Sequence, residues 1–151
     1  MVADDSVLFR EGLVRLLVEK GHEVLDAVGD ATALQEAVER NHADLAVIDG
    51  RLPPAMESDG AKSAAALRAR HPGLGLLLLS SHIELHHVLP LVGTPGFGYL
   101  LKDRVLNLAE FTAAAERVAT GGSALDPAVG QALLLTPAGS APDDLTERER
   151  D

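Results

Sequence analysis

Residues 45–49 read Leu45-Ala46-Val47-Ile48-Asp49, four apolar positions in a row and then a carboxylate. A run so short and apolar at every position suits a strand buried on both faces, as in a parallel sheet. Leu76-Leu77-Leu78-Leu79 repeats the pattern and leads into Ser80 and Ser81. Residues 23–28, more weakly, and 98–101 are further strand candidates, and a first strand ending before Asp4 and Asp5 has only Met1 and Val2 ahead of Ala3. Between these runs the spacing turns helical. Phe9, Leu13, Leu16 and Leu17 share one face, as do Leu34 and Val38, and as do Leu108, Phe111, Ala115 and Val118. Asp30, Asp59 and Asn107 stand where N-caps belong, and Gly21 stands where the first helix stops. Strand–helix alternation of this kind predicts an α/β fold, an open, doubly wound parallel sheet with helices on both faces.

The pattern loosens toward the C-terminus. Pro90 and Gly93-Thr94-Pro95-Gly96 predict a short or distorted helix after the fourth strand. Residues 124–135 read as one more helix, with Asp126 at its N-cap and Pro127 at its first position. Residues 136–144, rich in Pro, Ala, Gly and Ser, read as a linker, and residues 145–151 are dense in charge.

Composition narrows the classes. The 151 residues suit one domain with a short tail, and 46% of them are hydrophobic, enough for a buried core. Cysteine is absent, which excludes disulfides, thiol catalysis and cysteine-ligated zinc, and fits a reducing, cytoplasmic setting. The longest apolar run, residues 74–79, is far shorter than the roughly 20 residues of a membrane helix, so no membrane role is expected. Acidic side chains exceed basic ones, 23 against 13, which disfavours contact with nucleic-acid phosphates by these residues.

In an open parallel sheet, functional groups collect beyond the carboxyl ends of the strands. Asp4 and Asp5 follow the first strand, Asp49 the third, Ser80 and Ser81 the fourth, and Lys102 the fifth. Clustered carboxylates require a cation, and a hard divalent ion such as Mg²⁺ suits oxygen ligands. A carboxylate can then act as nucleophile toward a phosphoryl group whose oxygens a lysine and a hydroxyl contact. Each residue alone has a plain alternative: Asp49-Gly50 as a turn, Asp5-Ser6 as a helix cap, Lys102-Asp103 as a strand exit, Ser80-Ser81 as a loop opening. Their joint placement at matching strand ends favours one site. His82 and His86 are four apart, but no third ligand follows at helical spacing.

Ala3-Asp4-Asp5-Ser6, Val47-Ile48-Asp49, Leu52-Pro53, Leu79-Ser80-Ser81 and Tyr99-Leu100-Leu101-Lys102 together resemble the receiver domain of a bacterial two-component response regulator. The resemblance covers residues 1–122. Leu145-Thr146-Glu147-Arg148-Glu149-Arg150 is similar to the start of a LuxR-type helix-turn-helix domain, pointing to the NarL/FixJ subfamily. The resemblance implies a five-stranded sheet in the order 2-1-3-4-5, with no enzymatic turnover of its own. It implies Asp49 as phosphoacceptor, and a Mg²⁺ site from Asp5, Asp4, Asp49 and the backbone carbonyl of Arg51. Ser80 and Lys102 would contact the phosphoryl oxygens, and Tyr99 would be the switch aromatic. A sensor histidine kinase would be the donor, a homodimer the assembly, and DNA would be bound only through a C-terminal domain beyond these residues.

Four features depart from the usual pattern. Only Met1 and Val2 precede Ala3, so the first strand is expected to be shortened, or the given start truncated. The loop at residues 53–60 is long, Asp103 replaces a common proline, and residues 90–96 disturb the fourth helix. Two competing functions are a phosphoaspartate hydrolase, which would need a substrate pocket and a second acid, and a pseudo-receiver that binds partners without phosphorylation.

Overall fold

The computed structural model describes residues 1–52, 59–82 and 88–135. In chain order these form β1 (Val2–Ala3), α1 (Val7–Glu19), β2 (Ala27–Val28), α2 (Ala31–Arg40), β3 (Leu45–Asp49), α3 (Asp59–Arg70), β4 (Gly75–Ser80) and β5 (Phe97–Leu101). A 3₁₀ turn (Lys102–Leu106), α4 (Leu108–Ala119), β6 (Ala124–Leu125) and α5 (Pro127–Leu135) complete the described part. Every strand pairing is parallel and the order is β2-β1-β3-β4-β5-β6.

The apolar runs became central strands for the expected reason. Ala46, Val47, Ile48, Leu76, Leu77, Leu78 and Leu79 are all buried, and alternate residues feed opposite faces. Ile48, Leu76, Leu78 and Tyr99 join Leu34, Leu67 and Val129 on one side, while Val47, Leu77 and Leu79 join Leu13, Phe111 and Val118 on the other. The two cores make the sheet the middle layer. Strand β1 is short, as expected, yet it pairs on both sides, with Val2 opposite Ala27 and Val47.

The helix limits follow local chemistry. Ser6 and Asp30 accept the Phe9 and Ala33 N–H groups at the starts of α1 and α2. Asn107 caps α4 through the N–H of Glu110. Gly21, just past α1, takes a positive φ of 91°, the left-handed stop that glycine adopts without a Cβ clash. Asp59 is the first residue of α3 rather than the one before it.

Other expectations change as well. The sheet gains a sixth strand, because Ala124 and Leu125 pair with Gly98 and Tyr99 before the last helix begins at Pro127. Gly98 permits this packing: a Cβ there would lie 2.8 Å from Val118 Cγ2 and 3.0 Å from the Ala124 carbonyl. Leu108 is half exposed rather than buried with Phe111. Strand β2 covers only two of the residues in 23–28. The expected fourth helix falls partly on residues 83–87, outside the described residues, and residues 88–94 run as turns. Most of the 53–60 loop, and the linker and tail at 136–151, also lie outside them.

Candidate functional site

The carboxyl ends of β1, β3 and β5 deliver their charged residues to one place. Asp4, Asp5 and Asp49 each offer an oxygen to a cluster whose atoms all lie within 4.8 Å of one another. Lys102 reaches across from the end of β5, its Nζ 3.1 Å from Asp4 Oδ2 and 3.2 Å from Asp49 Oδ2. Asp4 and Asp49 are buried and Asp5 is exposed, so the cluster opens to solvent on the Asp5 side.

Local geometry fixes each group. The Asp4 side chain accepts the N–H of Ser6 at 2.8 Å, tying it to the first turn of α1. The Arg51 N–H donates to Asp49 Oδ1 at 3.2 Å. Burial, with the charge of Asp4 adding to it, pushes the Asp49 carboxyl up to about 6 from its usual 3.8, although the Arg51 N–H and Lys102 pull the other way. For Lys102, burial opposes the charged form, but Asp49 and Asp4 outweigh it and raise the ammonium above its ordinary value. The site therefore holds an ionisable carboxyl beside a fixed cation.

Ser80 and Tyr99 sit at the same rim but are engaged elsewhere. Ser80 Oγ donates to the carbonyl of His82 and accepts the His82 N–H at 3.3 Å. Tyr99 is buried, and its hydroxyl donates to that same His82 carbonyl at 3.2 Å. Thus Asp4, Asp5, Asp49 and Lys102 converge, and Ser80 and Tyr99 form a second group joined through His82. Arg51 follows Asp49 with its side chain exposed.

Two neighbours escaped the sequence reading. The Phe9 ring centroid lies 4.7 Å from Lys102 Nζ, a cation–π contact. Arg10 Nη1 donates to the Asp4 carbonyl at 2.7 Å. Both lie in the first turn of α1, four and five residues after Asp5.

The donors fit a hard divalent cation. Three carboxylates share the cluster, two of them buried, and the Lys102 ammonium 3.1 Å from Asp4 Oδ2 offsets only part of their charge. An all-oxygen donor set of this kind has the chemistry that a hard divalent ion such as Mg²⁺ favours.

Comparison with known proteins agrees with this geometry. The response regulator receiver domain model matches residues 1–115. A probable transcriptional regulatory protein NarL of Mycobacterium tuberculosis is 38% identical over 104 residues, 68% of this chain and 47% of that protein. The transcriptional regulatory protein DegU of Brevibacillus brevis is 31% identical over 135 residues, 89% of this chain and 55% of its own. The solved receiver domain of the putative response regulator NarL from Mycobacterium tuberculosis superposes with a TM-score of 0.61 at 34% identity, covering 76% of this chain and 93% of that one. The chain spans about half the length of the curated relatives it matches. The order β2-β1-β3-β4-β5, extended by β6, is the receiver arrangement. With its acid cluster at the carboxyl rim of such a sheet, the chain belongs to the response regulator receiver domain family.

Proposed function

We propose that Asp49 accepts a phosphoryl group from a sensor histidine kinase and that its occupancy switches the domain. Receiver domains of two-component systems carry phosphorylation-based signalling, and membership in that family supports this reading. The observation that carries it is the Asp4–Asp5–Asp49 cluster with the Lys102 ammonium 3.2 Å from Asp49. An ionised Asp49 oxygen would attack phosphorus as the bond to the donor's imidazole nitrogen breaks. Asp4, Asp5, Asp49 and the Arg51 carbonyl would hold Mg²⁺, which when bound supplies charge neutralisation at the phosphoryl oxygens. Lys102 would exchange a carboxylate contact for a phosphoryl oxygen. Ser80 would turn its hydroxyl from His82 to another, and Tyr99 would move with it between two pre-existing arrangements.

Output would follow from dimerisation. Leu8, Leu106 and Leu108 are exposed along a groove of about 660 Å³ beside the site, which Arg15 and Glu19 also line. An apolar surface carrying both charge signs can complement a second copy of itself. Residues 1–122 would form the receiver, residues 123–135 its extra C-terminal segment, 136–144 the linker, and 145–151 the start of a LuxR-type DNA-binding domain. Transcription would be controlled through that domain alone. The described residues contain no helix long and apolar enough to cross a membrane.

Incubation with Mg²⁺ and acetyl phosphate should add one phosphate by intact mass, and sizing should report a dimer. An Asp49→Asn variant that gained the same mass would falsify the assignment. A second reading, a pseudo-receiver that binds partners without phosphorylation, is favoured by one observation: the Ser80 hydroxyl is bonded to its own loop rather than turned toward Asp49. Absence of phosphate with every donor and no change in assembly would select it.

A further inference from the structure

We propose that Asp126 and Arg104 are positioning residues for Lys102 and form the link by which occupancy of the acid site reaches α5. The proposal rests on the phosphoacceptor reading of Asp49 and extends it to the route by which the signal leaves.

The side chain of Asp126 is completely buried and both its oxygens are used. Oδ2 accepts the Leu101 N–H at 3.2 Å and the Arg104 Nε–H at 2.9 Å, while Oδ1 accepts the Ala128 N–H at 2.9 Å. Leu101 immediately precedes Lys102 and Arg104 follows it by two. One carboxylate oxygen therefore brackets the lysine that bridges Asp4 and Asp49. The main chain of the same residue joins the other two parts. The Asp126 N–H donates to the Tyr99 carbonyl at 2.8 Å, and the Asp126 carbonyl accepts the first helical N–H of α5, from Gly130, at 2.9 Å.

Asp126 is thus at once the anchor of the Lys102 turn, the continuation of the β5–β6 ladder and the cap of α5. Burial works to raise its carboxyl, but the Arg104 guanidinium with the Ala128 and Leu101 N–H groups outweighs it and holds the group below its usual value. The carboxylate is fixed in its charged form, and charge-assisted bonds of this kind resist rotation. Helix α5 packs Val129 and Leu133 on the core that contains Tyr99. When Lys102 shifts toward a phosphoryl oxygen, the turn it begins is displaced, and Asp126 passes that displacement to the first turn of α5. A plain N-cap would need only the Ala128 bond. The two bonds around Lys102 are the additional feature.

The test uses the full 151-residue chain with Mg²⁺, acetyl phosphate or beryllofluoride. Arg104 is on the surface, so Arg104→Gln should fold, which circular dichroism and melting check. In the wild type, beryllofluoride should change hydrogen exchange across residues 127–135. In Arg104→Gln and Asp126→Asn that response should be lost, and acetyl phosphate labelling of Asp49 should slow by about 5-fold. Arg104→Lys, which returns the charge, should recover part of both, as a merely structural loss would not. Variants that label and exchange like the wild type would overturn the link while leaving Asp49 as acceptor. A wild type that takes up neither phosphate nor beryllofluoride would overturn the parent reading and this link with it.

Discussion

The hydroxyls of Ser80 and Tyr99 donate to a single atom, the carbonyl oxygen of His82, at 2.5 Å and 3.2 Å. Ser80 ends β4 and Tyr99 lies in the middle of β5, so two neighbouring strands share one acceptor in the loop between them. A Ser80 hydroxyl that leaves for a phosphoryl oxygen gives up its share, and the remaining bond to Tyr99 must readjust.

Such sharing makes the two residues energetically coupled. Tyr99→Phe should destabilise the fold by about 0.5–1.5 kcal/mol, the net contribution of a typical hydrogen bond. Combined with Ser80→Ala in a double-mutant cycle by urea denaturation, the pair should depart from additivity by at least roughly 0.5 kcal/mol. Strict additivity would mean that the two bonds are independent.

Asp49 should show an inverted stability profile. Its carboxyl is raised from 3.8 to about 6, burial first and Asp4 second, so the native chain binds more protons than the unfolded chain between those values. Its contribution to stability is therefore greatest below pH about 4 and is lost as pH rises toward 6. Asp49→Asn should be more stable than wild type at pH 7 in chelator, by about 1–2 kcal/mol after allowance for solvent screening and for the lost Lys102 pair. The gain should shrink as pH falls to 4. Thermal melts across that range would reveal any other order.

Mg²⁺ should stabilise the chain without any phosphate donor. Binding to the native state alone adds about 2.7 kcal/mol at a hundredfold excess over the dissociation constant. Most of the resulting rise in Tm should vanish in Asp5→Asn, whose exposed carboxylate completes the cluster. A Tm indifferent to Mg²⁺ in the wild type would count against the metal site.

Phe9 should matter beyond its packing. The ring holds Lys102 Nζ at 4.7 Å, a contact worth about 0.5–1 kcal/mol at a partly exposed site. Phe9→Leu should slow labelling of Asp49 by acetyl phosphate, while Phe9→Tyr, which keeps a ring, should label near the wild-type rate. Equal rates for Leu and Tyr would reduce Phe9 to a core residue.

The strand ends were legible because Asp49 and Ser80 each terminate an unbroken apolar run, and Asp4, Asp5 and Lys102 stand directly beyond another two. Burial on both faces admits little but Leu, Val, Ile and Ala, and the first polar residue marks the rim. Strand β6 was not legible: two residues carry no period, and its pairing depends on the missing side chain of Gly98, a neighbour distant in sequence. Leu108 has helical spacing but stands in the first turn of α4, where it lines the groove with Leu106 instead of the core. The Phe9–Lys102 and Arg104–Asp126 contacts likewise join residues that only the folded turn after β5 brings together. Asp126 itself was legible as a cap, since the Asp-Pro pair opens α5, but not as the anchor of Leu101 and Arg104.

The two outermost strands, β2 and β6, are each only two residues long. Exposed backbone at a sheet's border is where stray chains add and fibrils nucleate, and very short border strands deny them a template. Without β6, the five residues of β5 would offer such a template. Borders this short disfavour strand-to-strand addition, so the dimerisation proposed above would run through side chains, a contact that can be made and broken reversibly.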